Sequence, residues 1–543
     1  MKSKIILGVL AAASLFSTSC SDYLTEDPKG KMYAGDGYAS LETLDAALVA
    51  MYAKVNRSQI FTDMMYPQWQ GDDISAFWKS NKQAAYEMDA FAATAGNKGV
   101  SASWSCHYGI IKAANQIIAN VENTGDGVSK EEKDIALGNA LFWRAYAYYY
   151  LVRIYGPLPL VKVDDPSKSD IPLTDEAGIY AQIEEDLKRA DELNLPTSYS
   201  KAPRHLFGVD VYVTQQAVKS TLSAVYMSMA GYPLNKGTEY YKLAAEKAKE
   251  VIDGKNSGKY DITMDADWKN VYSMGNNYNK ETILGINFSP IADWSTDSEL
   301  SSCNMFESQG GWGDAFGEIK FWADYPDGPR KRAVYNPQIL IKGTSDLVNW
   351  WDSRIPERHP MFSIFTVNSD DAGNAIAAPY DYTKPFWGGM CNDHRHRLIR
   401  YPEVLLWYAE SAARAGLDLS LAKQCLKEVR ARAVDGNYEN VNGKAIDAMS
   451  ASELAEAAYD EHGWEIAGYW VALVTRRSDQ FRMDRLKDHF EWRKKLSTTP
   501  MTIESIPGQQ FVDSAKVEGT WSPDRAYLPY PDTETMKNPN LKR

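Results

Sequence analysis

Cys20 stands in SLFSTSCSDY, residues 14–23, at the end of a stretch built like an export signal. Lys2 and Lys4 supply a cationic start, and residues 5–16 form an apolar run too short to span a bilayer. The cysteine falls where cleavage is expected, in a pattern of an apolar residue, two small residues and a lipid-accepting thiol, with Ser17 departing from the apolar preference. The chemistry expected at Cys20 is acylation, because a free thiol at a new N-terminus would be exposed and oxidisable. Each buried methylene adds roughly 0.8 kcal/mol, so two or three acyl chains make attachment effectively permanent.

Other reactive residues give weaker signals. DHRHR at 393–397 could bring Asp393, His394 and His396 to one metal ion, but Arg395 and Arg397 would repel a cation. No Gly-x-Ser-x-Gly elbow, His-Glu-x-x-His helix or phosphate loop occurs in the sequence. Neither a catalytic residue, a metal site nor a cofactor is expected. Cys106, Cys303, Cys391 and Cys425 form no close pair, which leaves both disulfides and isolated buried thiols open. The aromatic content is unusual, with 33 Tyr and 16 Trp against 16 Phe. Tyr and Trp join a broad apolar face to a polar tip and suit contact with a partly hydrated ligand.

Composition narrows the classes. A net charge of −13 and a pI near 5.2 argue against nucleic-acid binding and against adhesion to anionic lipid headgroups. After Cys20 no segment reaches ~18 uncharged apolar residues, so the expectation is attachment without a span. SDYLTEDPKGKMYAGDG reads as a polar tether, placing a signal at 1–19 and a lipidated N-terminus and tether at 20–38.

The elements that must position any site are helical. ALGNALFWRAYAYYYLVRIYG, 136–156, is apolar nearly all round and stops at Gly156-Pro157, as a buried helix does, so Trp143, Tyr146, Tyr148 and Tyr149 are expected to pack. Residues 211–231 and 239–254 form an amphipathic pair with small residues at Ala217, Ala224, Ala244 and Ala248, and 403–416 with 420–433 repeats the arrangement. These pairs resemble tetratricopeptide units without a regular tandem of ~34 residues. Further helices are expected at 40–55, 104–122, 178–193 and 452–475. Between 255 and 400 the chain turns rich in Gly, Asn, Asp and Pro, with short strand candidates such as TILGINF.

A set of fragments in order along nearly the whole chain resembles the SusD/RagB family: CSDYLTEDP, SWSCHYGIIKAANQIIANVE, FWRAYAYYYLVRIYGPLPLV, RLIRYPEVLLWYAESAARAG, LKEVRARA, RRSDQFRM and YLPYPDTETMKNPNLKR. One departure is EHGWEIAGYWVALVTRRSDQFRM, longer than the family's compact Glu-Gly-x-Arg-x-x-Asp-Leu pattern. The resemblance implies a mainly α fold of tetratricopeptide-like helix pairs with an irregular, loop-rich ligand-binding region and a few short strands. It implies one domain over 39–543, with scaffold mainly at 39–254 and 400–490 and binding loops mainly at 60–100 and 255–400. It further implies an outer-membrane lipoprotein that passes oligosaccharide to a TonB-dependent transporter of the SusC type.

A sugar ring presents an apolar face of C–H groups and an equator of hydroxyls, so it needs an aromatic platform flanked by planar polar groups. The expected ligand contacts are Trp69, Trp78, Asp73 and Asn81 in QWQGDDISAFWKSN, Trp294 in ADWSTDSE, and Trp312 in SQGGWGDAF. NWWDSR at 349–354 and KPFWGGMCND at 384–393 come second. Trp104, Tyr108 and Asn115 are assigned to structure. Three rivals remain: a peptide-binding lid of the RagB kind, a pure assembly or stalk protein, which would leave the aromatic loops without a task, and a surface glycoside hydrolase, which would need two carboxylates about 5–10 Å apart. The adjacent pairs Asp72-Asp73 and Asp370-Asp371 do not supply that arrangement.

Overall fold

The computed structural model describes residues 38–542 except 39, 61, 80, 164–169, 290–295, 336–337, 382 and 385–388. Six long helices pack in succession, each on the next: α1 (Leu41–Ile60), α2 (Lys98–Asn120), α3 (Lys130–Tyr155), α4 (Glu176–Glu192), α5 (Gln215–Ala230) and α6 (Thr238–Asn256), with the short helix Gln83–Asp89 between α1 and α2. After the loop-rich region the scaffold resumes with α7 (Tyr401–Arg414), which packs on α6, on α8 (Leu419–Ala433) and on α9 (Ala451–Glu465). Two shorter helices, α10 (Arg476–Arg482) and α11 (Leu486–Leu496), complete the part that matters for the site.

Local chemistry explains where the helices start and stop. Ser129 caps α3 by accepting from the Glu132 amide, Glu131 and Glu132 complement the first-turn dipole, and Gly156 ends it at φ +67°. From Ile135 to Tyr155 every α3 residue is buried, so the all-round apolar helix is the core around which α2 and α4 pack. Tyr149 bonds the Ser228 hydroxyl of α5 at 2.7 Å, satisfying its polar tip inside. Between α5 and α6 the small residues sit at the interface, and Ser223 Oγ donates to the Ala244 carbonyl at 2.9 Å. Such close backbone approach is what the alanines permit. Ser450 and Glu453 form a reciprocal capping box at the start of α9.

The mainly α architecture with short strands is therefore present, and the helix positions follow the periodicity closely. One expected helix overruns. The segment at 452–475 leaves the helix after Glu465, because Gly468 turns at φ +69° against the Phe362 ring and donates its amide to Asp73. The departure near Arg476 resolves into α10, capped by Thr475 accepting from the Ser478 amide. Among the described residues the strands pair only in twos, including β1 (Ile74–Ser75) with β3 (Phe316–Gly317), and β2 (Thr282–Ile286) with β4 (His396–Arg400), all antiparallel. Cys106, Cys303, Cys391 and Cys425 are free thiols.

Buried ion pairs join the loop region to the scaffold. Arg400 binds Glu281 at 3.0 Å and Glu465 at 2.9 Å, Arg432 binds both, and Arg330 bridges Glu461 and Glu465. Removing one partner from such a set leaves an uncompensated buried charge, whereas the complete set fixes orientation.

Candidate functional site

The loop after β1 and the loop before β3 are brought together by their strands. Ile74 opposes Gly317 and Ser75 opposes Phe316, so an antiparallel continuation places Trp78 and Trp312 on neighbouring ribbons. The Phe77 ring lies 4.6 Å from Phe316 and 4.8 Å from His359, centroid to centroid, which anchors the residue just before Trp78. Trp78 itself is 64% exposed. An exposed indole on an anchored backbone is a stacking surface that loses little entropy when covered.

Trp312 is half-buried against the core, and its amide donates to the Ser302 carbonyl at 2.8 Å. A Cβ on the preceding Gly311 would lie about 2.2 Å from Met305. Only glycine fits there, and that close approach fixes the turn that carries Trp312. Two ion pairs clasp the ribbons, Lys79 with Glu307 and Lys82 with Asp314. Glu357 accepts from both the amide and the hydroxyl of Ser308 at 3.0 and 2.8 Å. Asn81 is exposed beside the first ribbon and lines a shallow cleft of about 300 Å³ with Gln83, Glu87 and Asn97. Trp78 and Asn81 thus follow β1 and Trp312 precedes β3, on two ribbons tied together by the Lys79–Glu307 and Lys82–Asp314 pairs.

Two expected ligand contacts are interior. Trp69 is fully buried, with Tyr66 at 4.7 Å and Trp470 at 5.3 Å, because Tyr66–Gln70 is a 3₁₀ turn folded under the surface. Asp73 is also buried, and its Oδ2 accepts from the Gly468 amide at 2.7 Å. Burial, with Asp72 beside it, pushes the Asp73 carboxyl up from 3.8 to about 7. Neither can present itself to a ligand: both pack in the interior. Trp294, Trp387 and Cys20 lie outside the described residues. Trp350 is buried, while Trp351 is partly buried against Trp322 and Trp350, so the second-ranked NWWDSR packs as a structural cluster.

The sequence reading missed the anchor beneath the platform. Arg493 of α11 is fully buried and donates to the Ile74 carbonyl at 3.0 Å, to both Asp89 oxygens at 2.7 and 2.8 Å, and to Asp513 at 3.1 Å. Asp89 in turn accepts from the Ala76 amide at 2.7 Å, and Asp513 accepts from Ser75 Oγ at 3.1 Å. Burial pushes Asp89 up to about 7, while at Asp513 burial is outweighed by the Arg493 guanidinium and the carboxyl sits below its usual range. Glu318, which caps the helix Ile319–Asp324, is held well above the ordinary range by burial and by Asp513. No local sequence signal links residue 493 to residue 74; a buried arginine is found only by folding the chain.

His394 and His396 do not converge on an ion. His394 Nε2 meets the Tyr272 carbonyl at 3.0 Å and His396 Nε2 meets Ser298 Oγ at 2.8 Å, both deep in the core. Among the described residues no group of His, Cys, Asp and Glu is arranged to hold a metal, and no helix is long and apolar enough to cross a membrane.

Comparison with known proteins fits this architecture. Residues 22–227 match a family model described as starch-binding and associating with the outer membrane, and residues 376–543 match the SusD family. The chain belongs to the SusD family. A SusD-like protein of Bacteroides ovatus is 24% identical, the alignment covering 100% of this chain and 97% of the relative. SusD-like protein P2 of Formosa agariphila is 26% identical over 82% of this chain and 85% of its own. Among solved structures, a SusD superfamily protein from Parabacteroides distasonis superposes with a TM-score of 0.68 at 18% identity, covering 92% of this chain and 98% of that one. Another, crystallised with a xylogluco-oligosaccharide, gives 0.67 at 20% identity with the same coverage. Surface glycan-binding protein A from Bacteroides uniformis gives 0.64 at 18% identity, covering 93% and 99%.

Proposed function

We propose that this SusD-family protein captures oligosaccharide on the Trp78–Trp312 platform, without chemistry, and passes it to a TonB-dependent transporter of the SusC type. The observation that carries the reading is Trp78, an indole 64% exposed on a backbone pinned by Phe77 and by the Arg493 cluster. A sugar's C–H face stacks on the indole, with Asn81 and the edge of Trp312 placed to meet ring hydroxyls. Trp294 belongs to the same proposal as a third platform member. Each aromatic contact contributes on the order of 1 kcal/mol beyond area burial, so affinity is modest and release inward is easy. Acylation of Cys20 would hold the protein at the outer surface of the outer membrane, and the polar segment after it would serve as the hinge.

A calorimetric screen against plant and bacterial oligosaccharides, repeated with Trp78→Ala, Trp294→Ala and Trp312→Ala, tests the site. Binding weakened roughly tenfold in Trp78→Ala at an unchanged melting temperature is expected, and undiminished binding in all three variants sinks the platform. Pull-down with the acylated protein should recover a large outer-membrane β-barrel. Release of reducing sugar by the purified chain would revive a hydrolase.

A further inference from the structure

A cleft of about 450 Å³ opens between segments 267–275, 329–333 and 363–375, none of which contributes to the platform. That volume suits a small polar ligand. The cleft is held in shape from several sides. Thr366 Oγ1 donates to the Ser363 carbonyl at 2.7 Å, and Ser363 Oγ donates to the Ala333 carbonyl at 2.9 Å, which fixes the loop to the helix Pro329–Val334. Further out, a bridge between Ser369 and Ala375 and the Asp370 bonds to the Ala372 and Asn374 amides close the loop on itself.

The lining defines the guest. Met274 and Val367 give apolar surface, while Thr366, Asn368 and Ser369 give uncharged hydroxyl and amide groups. The charges at the mouth are already matched: Arg332 binds Asp435 at 2.7 Å, and Lys269 has Asp267 at 3.9 Å and the Ala372 carbonyl at 3.2 Å. Nothing there selects an ion. At the back lie Trp268 and Tyr272, both buried. The Arg400 and Arg432 guanidiniums rest 5.4 and 5.1 Å from the Trp268 ring and hold its plane.

We propose that this cleft is a second carbohydrate site, taking the end of a neutral oligosaccharide by hydrogen bonding rather than by ring stacking. It shares no residue with the platform, so the two sites stand or fall separately. A polysaccharide held at two points dissociates more slowly than one held at either.

The test uses the full chain in detergent, with xylogluco-oligosaccharide, cellobiose and maltose as probes, read by saturation-transfer NMR and calorimetry. Ser369→Trp fills the cleft from an exposed position, and Asn368→Ala removes one amide. With Trp78→Ala in place, at least one probe should still bind, and adding Asn368→Ala should weaken that residual binding about tenfold, the scale of one hydrogen bond. Ser369→Trp should abolish it at an unchanged melting temperature. Complete loss of binding in Trp78→Ala alone overturns the second site, as does failure of all three probes to bind the wild-type chain. Binding untouched by Trp78→Ala but abolished by Ser369→Trp supports the cleft and discards the platform. Binding indifferent to both substitutions discards the two together.

Discussion

Arg493 donates to the carbonyl of Ile74 at 3.0 Å across 419 residues of sequence, and this bond joins the last third of the fold to the strand that carries the platform. The same guanidinium satisfies Asp89 and Asp513, whose other bonds hold Ser75 and Ala76. Arg493→Met would leave two buried carboxylates facing each other without a cation, at a cost of about 3–5 kcal/mol. Denaturant midpoints should show that loss. Arg493→Lys, which keeps the charge but not the fork, should recover part of the stability while shifting the fluorescence emission of Trp78, because Ile74 and Asp89 cannot both be reached by one ammonium.

Trp69 and Trp78 occupy one polar segment and give opposite predictions. Trp78→Ala removes an exposed ring and should change stability by no more than about 0.5 kcal/mol, while weakening oligosaccharide binding roughly tenfold or more. Trp69→Ala empties a site enclosed by Tyr66 and Trp470 and should cost about 3–5 kcal/mol. Thermal melts and calorimetry on the two variants separate the roles: equal destabilisation in both would refute the assignment.

That contrast also marks what the sequence could tell. Long elements with strong periodicity, such as α3 and the α5–α6 pair, were legible because one face or all faces repeat their apolar character over several turns. The exposure of single tryptophans was not, since QWQGDDISAFWKSN carries the same polar texture on both sides of β1 and only the 3₁₀ turn decides which ring goes inside. The end of α9 was hidden for a similar reason: Gly468 is drawn out of the helix by Asp73, 395 residues earlier. Trp78 and Trp312 stand out by type and setting, but the pairing of the ribbons that carry them comes from a two-residue strand pair too short to leave a pattern.

The carboxyl of Asp73 supplies a pH signature. Burial raises it from 3.8 to about 7, so the folded protein keeps a proton that the unfolded chain has released over that interval. Its contribution to stability is complete below about pH 3.8, declines as pH rises, and is gone above about pH 7. Asp73→Asn stays neutral and retains an oxygen for the Gly468 amide. Melting temperatures taken from pH 4 to 8 should fall less steeply for the variant than for the parent, and parallel curves would show that Asp73 is ionised throughout.

Lys82 and Asp314 close the ribbons on which Trp78 and Trp312 sit, and Asp314 is almost wholly buried. Burial pushes its carboxyl up, and the Lys82 ammonium opposes that rise. Lys82→Met therefore strands a buried carboxylate and should destabilise the protein by about 3 kcal/mol near neutral pH. Asp314→Asn in the Lys82→Met background should restore most of that loss, since the charge that lacked a partner is gone while the shape remains. If the clasp also orders the platform, the double variant will regain melting temperature yet release oligosaccharide faster than the parent, because a neutral pair holds the two ribbons less firmly. Stopped-flow dissociation measured on the four members of this cycle distinguishes a stabilising contact from one that sets the spacing of the two indoles.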